Sequence, residues 1–110
     1  MIIPNYADGT ITAADGYVEA VVEDSDTVAI QVYGTWVGTL GFDSSVVADQ
    51  WADQAVKASS QTTATTLVTT TTGNGLFLVD TKSVSNIRVY SDAWTSGTAN
   101  VRIRASRSSK

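Results

Sequence analysis

The stretch from residue 99 to residue 105 reads ANVRIRA, in which small or branched apolar residues alternate with polar ones. Successive side chains of a β-strand point to opposite faces of the sheet, so this pattern predicts an antiparallel strand with one buried and one solvated face. The same alternation recurs at residues 28–32, 36–42 and 87–90. It predicts a buried set that consists of Val28, Ile30, Val32, Trp36, Leu40, Phe42, Leu76, Leu78, Ile87, Val89, Val101 and Ile103.

Residues typical of turns separate these runs. Residues 14–16, 33–35 and 73–75 each contain glycine and are predicted as tight connections, and the Thr-Ser-Gly-Thr sequence at 95–98 is predicted as a hairpin loop. Further strands are expected at 10–13, 17–22, 65–71 and 75–80, whereas residues 45–57 fit a helix and a strand–loop–strand segment about equally.

Together these signals predict an all-β, single-domain antiparallel β-sandwich with jelly-roll-like connections. We place an N-terminal arm at residues 1–8, the sandwich at 9–106 and a C-terminal tail at 107–110. A chain of 110 residues has room for one domain only.

The composition argues against most kinds of chemistry. The chain has no Cys and no His, so it lacks disulfides, thiol nucleophiles and a conventional Ser–His pair. A net charge of -4 disfavours binding to nucleic acid through phosphate contacts. We therefore expect no enzyme activity, no catalytic residues and no cofactor. We also expect no signal peptide, because the start of the sequence has no basic region and no long apolar run, and no membrane partner, because no stretch approaches membrane-spanning length.

Two groups of acidic residues are candidate sites. The Glu-Asp-Ser-Asp run at 23–26 lacks the spacing of a calcium loop, so we predict a solvated turn and no metal site. Asp43, Asp49 and Asp53 could supply the two carboxylates of a glycosidase. Eleven acidic residues in a short chain produce such sets by chance, so a catalytic role is not expected.

Charge is distributed unevenly along the chain. Residues 1–55 contain nine acidic residues and no Lys or Arg, whereas residues 56–110 contain all seven cations and two Asp. Strands from the two halves could interleave and mix the charges. Alternatively, the subunit could be electrically polar and suited to head-to-tail contacts.

Candidate interaction residues lie near the N-terminus and before the predicted hairpin loop. Ile2, Ile3 and Tyr6 form an apolar arm that Pro4 holds extended, and these side chains would be exposed in an isolated chain. Trp94 could anchor a partner or cover the end of the sandwich. The Thr-rich stretch at 61–72 fits a polar loop before an edge strand, or a flat ladder of Thr side chains that docks on a partner.

An ordered series of motifs resembles small virion β-sandwich domains of bacteriophages, both capsid decoration and tail-associated proteins. The series is GTWVGTL at 34–40, FDSS at 42–45, Trp51, GLFLV at 75–79, NIRV at 86–89 and WTSGTANVRI at 94–103. The resemblance implies a non-enzymatic capsid decoration (cement) protein on the virion surface. It also implies a homo-oligomer, with a trimer as the expected order, and major capsid or tail proteins as partners.

A second interpretation remains open at this point. The chain could be a carbohydrate- or receptor-binding module of a phage tail or of a secreted protein, with a host glycan as its ligand. Such a module should present two or more exposed aromatic rings on a groove or flat platform.

Overall fold

The computed structural model describes residues 5–23, 25–47, 50–58, 67–80 and 84–106. Within these ranges there is no helix, and hence no helix that could cross a membrane. The expectation of an all-β, antiparallel, single-domain protein is confirmed; the jelly-roll-like connections stay a prediction. The strands are β1 (Asn5–Ile11), β2 (Tyr17–Val21), β3 (Thr27–Ser45), β4 (Ala52–Asp53), β5 (Lys57–Ala58), β6 (Thr70–Thr71), β7 (Gly75–Asp80) and β8 (Asn86–Ser106).

Two long strands organise the molecule. β3 and β8 contain 19 and 21 residues and pair antiparallel along their whole length. At one end of this ribbon β1 adds to β8 and β7 adds to β3, with β5 beyond β7. At the other end β2 adds to β8, while β4 and β6 add to β3. We call these two ends the first layer and the second layer.

The two layers pack against each other around a shared core. The ring centroids of Phe42, from the second layer, and Phe77, from the first, lie 5.2 Å apart. A methyl group of Val18 in β2 lies beside Gly9 in β1, so these unbonded strands also face each other. Nine of the twelve residues predicted to be buried are buried, which confirms the alternation in β3 and β8: Val28, Ile30, Val32, Leu40, Phe42, Ile87, Val89, Val101 and Ile103.

The predicted orientation of β7 is wrong. Leu76 and Leu78 are 41% and 43% exposed, whereas Phe77 and Val79 are buried. Phe77 pairs with Ile30 of β3, and residues directly opposite in a sheet point to the same face. The core face of β3 therefore fixes the orientation of β7. Trp36, also predicted to be buried, is only partly so.

The predicted turn at 33–35 and the predicted hairpin loop at 95–98 both lie inside long strands. These segments stand opposite each other, with Trp36 paired to Gly97, so each supplies the other's backbone hydrogen bonds. Gly34 and Gly97 adopt φ angles of 121° and 98°, which L residues with a side chain avoid. The glycines thus shape the middle of a continuous ribbon and do not end strands.

Boundaries differ from expectation in two further places. Residues 45–57 contain no helix in their described part; β4 ends at Asp53 and β5 begins at Lys57, in line with the strand–loop–strand alternative. β1 begins at Asn5, inside the stretch predicted as the arm, and pairs with β8. Residues 1–4, 59–66 and 107–110 lie outside the described residues; they include the first half of the Thr-rich stretch and the whole of the predicted C-terminal tail.

Candidate interaction site

The middle of the ribbon, residues 33–39 of β3 and 91–98 of β8, is paired to no other strand within the described part of the chain. It carries the predicted interaction residue Trp94, whose ring is stacked on Trp36 with centroids 5.9 Å apart and planes 1° apart. Both indoles are partly buried and pack against the core. The pair therefore covers the end of the core. This agrees with the interpretation of Trp94 as a cover over the end of the sandwich.

A polar clamp fixes this pair. The Trp36 indole Nε1 donates a hydrogen bond to Oδ1 of Asn74 at 2.8 Å, and Nδ2 of Asn74 donates to the Gly34 carbonyl oxygen at 2.9 Å. Asn74 belongs to the predicted turn at 73–75, so these two hydrogen bonds hold the turn against the ribbon. The exposed side chains in the middle of the ribbon are mostly small and polar, together with Asp92 and with Tyr33 and Val37, which are 37% and 57% exposed.

Of the three predicted N-terminal interaction residues, Ile2 and Ile3 lie outside the described residues. Tyr6 lies in β1 opposite Arg104 and is 55% exposed. Its hydroxyl donates to Oδ2 of Asp8 at 3.3 Å. Tyr6 therefore belongs to the outer face of the first layer, far along β8 from Trp94.

This outer face carries charges of both signs. Lys57, Arg102 and Arg104 are its described cations, Asp8 is the register partner of Arg102, and Asp26 lies in one groove with Lys57 and Leu78. Arg102 lies over the Tyr33 ring with its guanidinium carbon 5.2 Å from the centroid. The outward residues Leu76 and Leu78 of β7 lie beside these charges, so the face combines charged and exposed apolar groups.

The outer face of the second layer contains a cluster that sequence reasoning missed. Nη2 of Arg88 pairs with Oδ2 of Asp43 at 2.5 Å, and the Asp43 side chain is only 9% exposed. The Arg88 guanidinium also lies 4.3 Å from the Trp51 ring centroid and 5.5 Å from that of Tyr90. Asp43 and Arg88 are register partners in β3 and β8 but lie far apart in sequence, so only the strand pairing reveals the contact.

Carboxylates outnumber cations on the outer face of the second layer among the described residues, and we call it the acidic face. It carries Glu19, Asp43, Asp53 and Asp92 around Arg88. The pKa of the neighbouring Tyr90 hydroxyl is raised above 10.0, first by burial and then by Asp43, Asp92 and Asp53, against a smaller lowering by Arg88. The carboxylates therefore dominate the potential at Tyr90.

The two acidic groups of the sequence do not form a metal site in the described residues. Within them, no three His, Cys, Asp or Glu side chains are grouped to hold a metal ion. Asp43 and Asp53 are neighbours across β3 and β4, but Asp43 is paired with Arg88. Asp24 and Asp49 lie outside the described residues.

Comparisons with known proteins find structures with a similar fold but identify no family for the chain. No protein-family model matches the sequence, and no curated protein matches it. The structure is similar to that of the SPBc2 prophage-derived protein YomS, with a TM-score of 0.71 and 14% identity over 96% of this chain and 97% of that chain. It is also similar to the PBSX exported protein XepA, with a TM-score of 0.74 and 18% identity over 96% of this chain but only 39% of that chain. At these identities the likeness concerns the fold alone.

Proposed function

We propose that the chain is a non-enzymatic structural protein of a phage particle, and specifically a capsid decoration (cement) protein that oligomerises on the virion surface. The observation that carries this proposal is the shared fold with a prophage-derived protein, which extends over nearly the whole length of both chains. The motif series in the sequence supports the same class independently of the coordinates. The virion is accordingly the proposed location.

The surface of the described residues supports a protein that works by contact. Large apolar side chains are exposed on both layers: Tyr17 and Val21 of β2 are 57% and 55% exposed, and Leu76 and Leu78 face solvent on β7. Exposed apolar groups that lie close together on one face favour association with another surface. The proposed partners are further copies of the chain and the major capsid protein or tail proteins.

The experiment is to mix the full chain with emptied capsids and, separately, with tail tubes, and to measure co-sedimentation. We expect saturable binding to capsids. Leu76→Ser combined with Leu78→Ser should weaken this binding, while the control Val46→Ser, which removes an exposed apolar group elsewhere, should not. A chain lacking residues 1–4 tests whether the N-terminal arm contributes to docking.

Three outcomes decide the proposal. Binding to capsids supports the decoration role. Binding to tail tubes alone would instead indicate a tail protein. If neither particle is bound, the proposal fails. Binding to a glycan array in that case would favour the carbohydrate-binding alternative, and Tyr33→Ala and Tyr6→Ala would then identify the exposed aromatic ring that contacts the sugar.

A further inference from the structure

Three aromatic rings lie together on the acidic face. Tyr17 in β2 and Tyr90 in β8 are directly opposite each other in the sheet, so their rings share one face. The guanidinium carbon of Arg88 lies 5.9 Å from the Tyr17 ring centroid and 5.5 Å from that of Tyr90. It lies 4.3 Å from the ring centroid of Trp51, which precedes β4. We call Tyr17, Trp51 and Tyr90 the aromatic platform.

Strand pairing fixes the position of these rings. Gly41 in β3 is the register partner of Tyr90, and a Cβ atom at Gly41 would lie 2.4 Å from Cζ of Tyr90, so the phenol lies directly over the glycine. Arg88, which lies among the three rings, is itself held by its ion pair with Asp43. Side chains that are already held in place lose little conformational freedom when a ligand binds, and this favours affinity.

The aromatic platform is open to solvent and is surrounded by unused polar groups. Tyr17 is 57% exposed, and Trp51 and Tyr90 are half-buried. Neither phenol hydroxyl forms a hydrogen bond with a described residue, and the exposed carboxylate of Asp53 forms neither a hydrogen bond nor an ion pair with one. Oε2 of Glu19 accepts from Asn86 at 2.9 Å, which orients this carboxylate and leaves its other oxygen for a ligand.

A saccharide matches this combination of rings and polar groups. The C–H groups of a sugar ring pack on aromatic rings, while its hydroxyls donate to carboxylates and accept from phenol hydroxyls. Charge narrows the class of saccharide. Asp43, Asp92 and Asp53 raise the pKa of the Tyr90 hydroxyl by more than Arg88 lowers it, so the potential beside the rings is negative. An acidic glycan would be repelled, which leaves uncharged sugars.

We propose that the aromatic platform binds a neutral saccharide, with the Tyr17 ring packed on one sugar unit and with Glu19 and Asp53 accepting hydrogen bonds from its hydroxyls. Trp51 and Tyr90 extend the surface on which neighbouring sugar units pack. This site goes beyond the decoration role and does not depend on it.

The test measures binding of the full chain to linear oligosaccharides by isothermal titration calorimetry. The neutral probes are oligomers of glucose, galactose, mannose and N-acetylglucosamine, and the acidic probe is an oligogalacturonate. Tyr17→Ala and Trp51→Ala each remove one ring of the platform. Tyr33→Ala is the matched control, because Tyr33 is also an exposed tyrosine beside an arginine, Arg102, but lies in the first layer. Unchanged circular dichroism spectra show that the variants are folded.

We expect saturable binding of at least one neutral oligosaccharide and no binding of the oligogalacturonate. Tyr17→Ala, which changes an exposed side chain, should raise the dissociation constant by about tenfold, and so should Trp51→Ala. Tyr33→Ala should leave it within about twofold of the wild-type value. The dissociation constant should be the same at about 20 mM and about 500 mM salt, because the ligand is uncharged.

Several results would overturn the proposal: no binding of any neutral oligosaccharide, a preference for the oligogalacturonate, or binding that Tyr33→Ala abolishes and Tyr17→Ala does not. Capsid binding that is lost in Tyr17→Ala, with no saccharide bound, would make the platform a protein-docking surface and would also overturn it. Sedimentation with capsids tests the decoration role separately. A chain that binds a saccharide but no particle would refute that role alone, and a chain that binds capsids but no saccharide would refute only the saccharide site.

Discussion

Replacing Gly97 by Ala tests whether the positive φ angle in the middle of the ribbon is required for the fold. Gly97 has φ of 98°, and a Cβ atom at this position would lie 2.6 Å from the Cα atom of Trp36 on the opposite strand. An L residue at such a φ costs on the order of 1–2 kcal/mol, and moving two bonded strands apart adds to that cost. We therefore expect Gly97→Ala to lower the free energy of unfolding by about 2–4 kcal/mol.

The assay is thermal unfolding followed by circular dichroism, together with Trp fluorescence, which reports on the stacked Trp36–Trp94 pair. For a domain of this size the loss corresponds to a fall in melting temperature of about 8–16 °C. Gly73→Ala is the matched control, because a Cβ at Gly73 meets no atom within 4 Å and its φ is not positive. It should be neutral, or stabilise by about 0.4–1 kcal/mol through the unfolded chain. Equal melting temperatures for Gly97→Ala and the wild type would refute the reasoning.

Four further predictions address the core, the acidic face and metal dependence. In urea titrations, Phe77→Ala should lower the free energy of unfolding by about 3–5 kcal/mol and Leu78→Ala by less than about 1 kcal/mol, because only Phe77 is in the core. A larger loss for Leu78→Ala than for Phe77→Ala would contradict the register of β7. Arg88→Met should lower the free energy of unfolding by about 2–4 kcal/mol, because it leaves the Asp43 carboxylate buried without its cation. The double variant with Asp43→Asn should regain much of this stability. Because the pKa of Tyr90 is raised in the folded protein, the contribution of this hydroxyl to stability is constant below pH 10 and falls as the pH rises above 10 towards the folded-state pKa. Tyr90→Phe should flatten this fall in pH-dependent unfolding. Treatment with a chelator should leave the melting temperature unchanged, and a drop of several degrees would reveal a bound metal ion.

The interaction residues illustrate what sequence reasoning could and could not find. Trp94 was identified because a large ring beside a turn-like segment is conspicuous, but its stacking on Trp36 depends on a ladder between residues about sixty positions apart. Nothing in the neighbouring sequence indicates the Arg88–Asp43 ion pair, because each residue by itself fits an ordinary solvated strand position. Long-range register creates such contacts, and a single sequence does not encode register in any short window.

The sequence by itself determined the all-β class and the orientation of strands whose apolar residues alternate strictly. In ANVRIRA, and at Val28, Ile30 and Val32, only one register puts the apolar side chains in the core, so the pattern was sufficient. Only the tertiary structure decided the orientation of β7 and the continuity of β3 and β8. In GLFLV both faces are apolar, so local hydrophobicity does not choose between them and pairing with β3 does. Gly34 and Gly97 read locally as turns, yet they extend the ribbon because each segment finds its hydrogen-bond partners in the other.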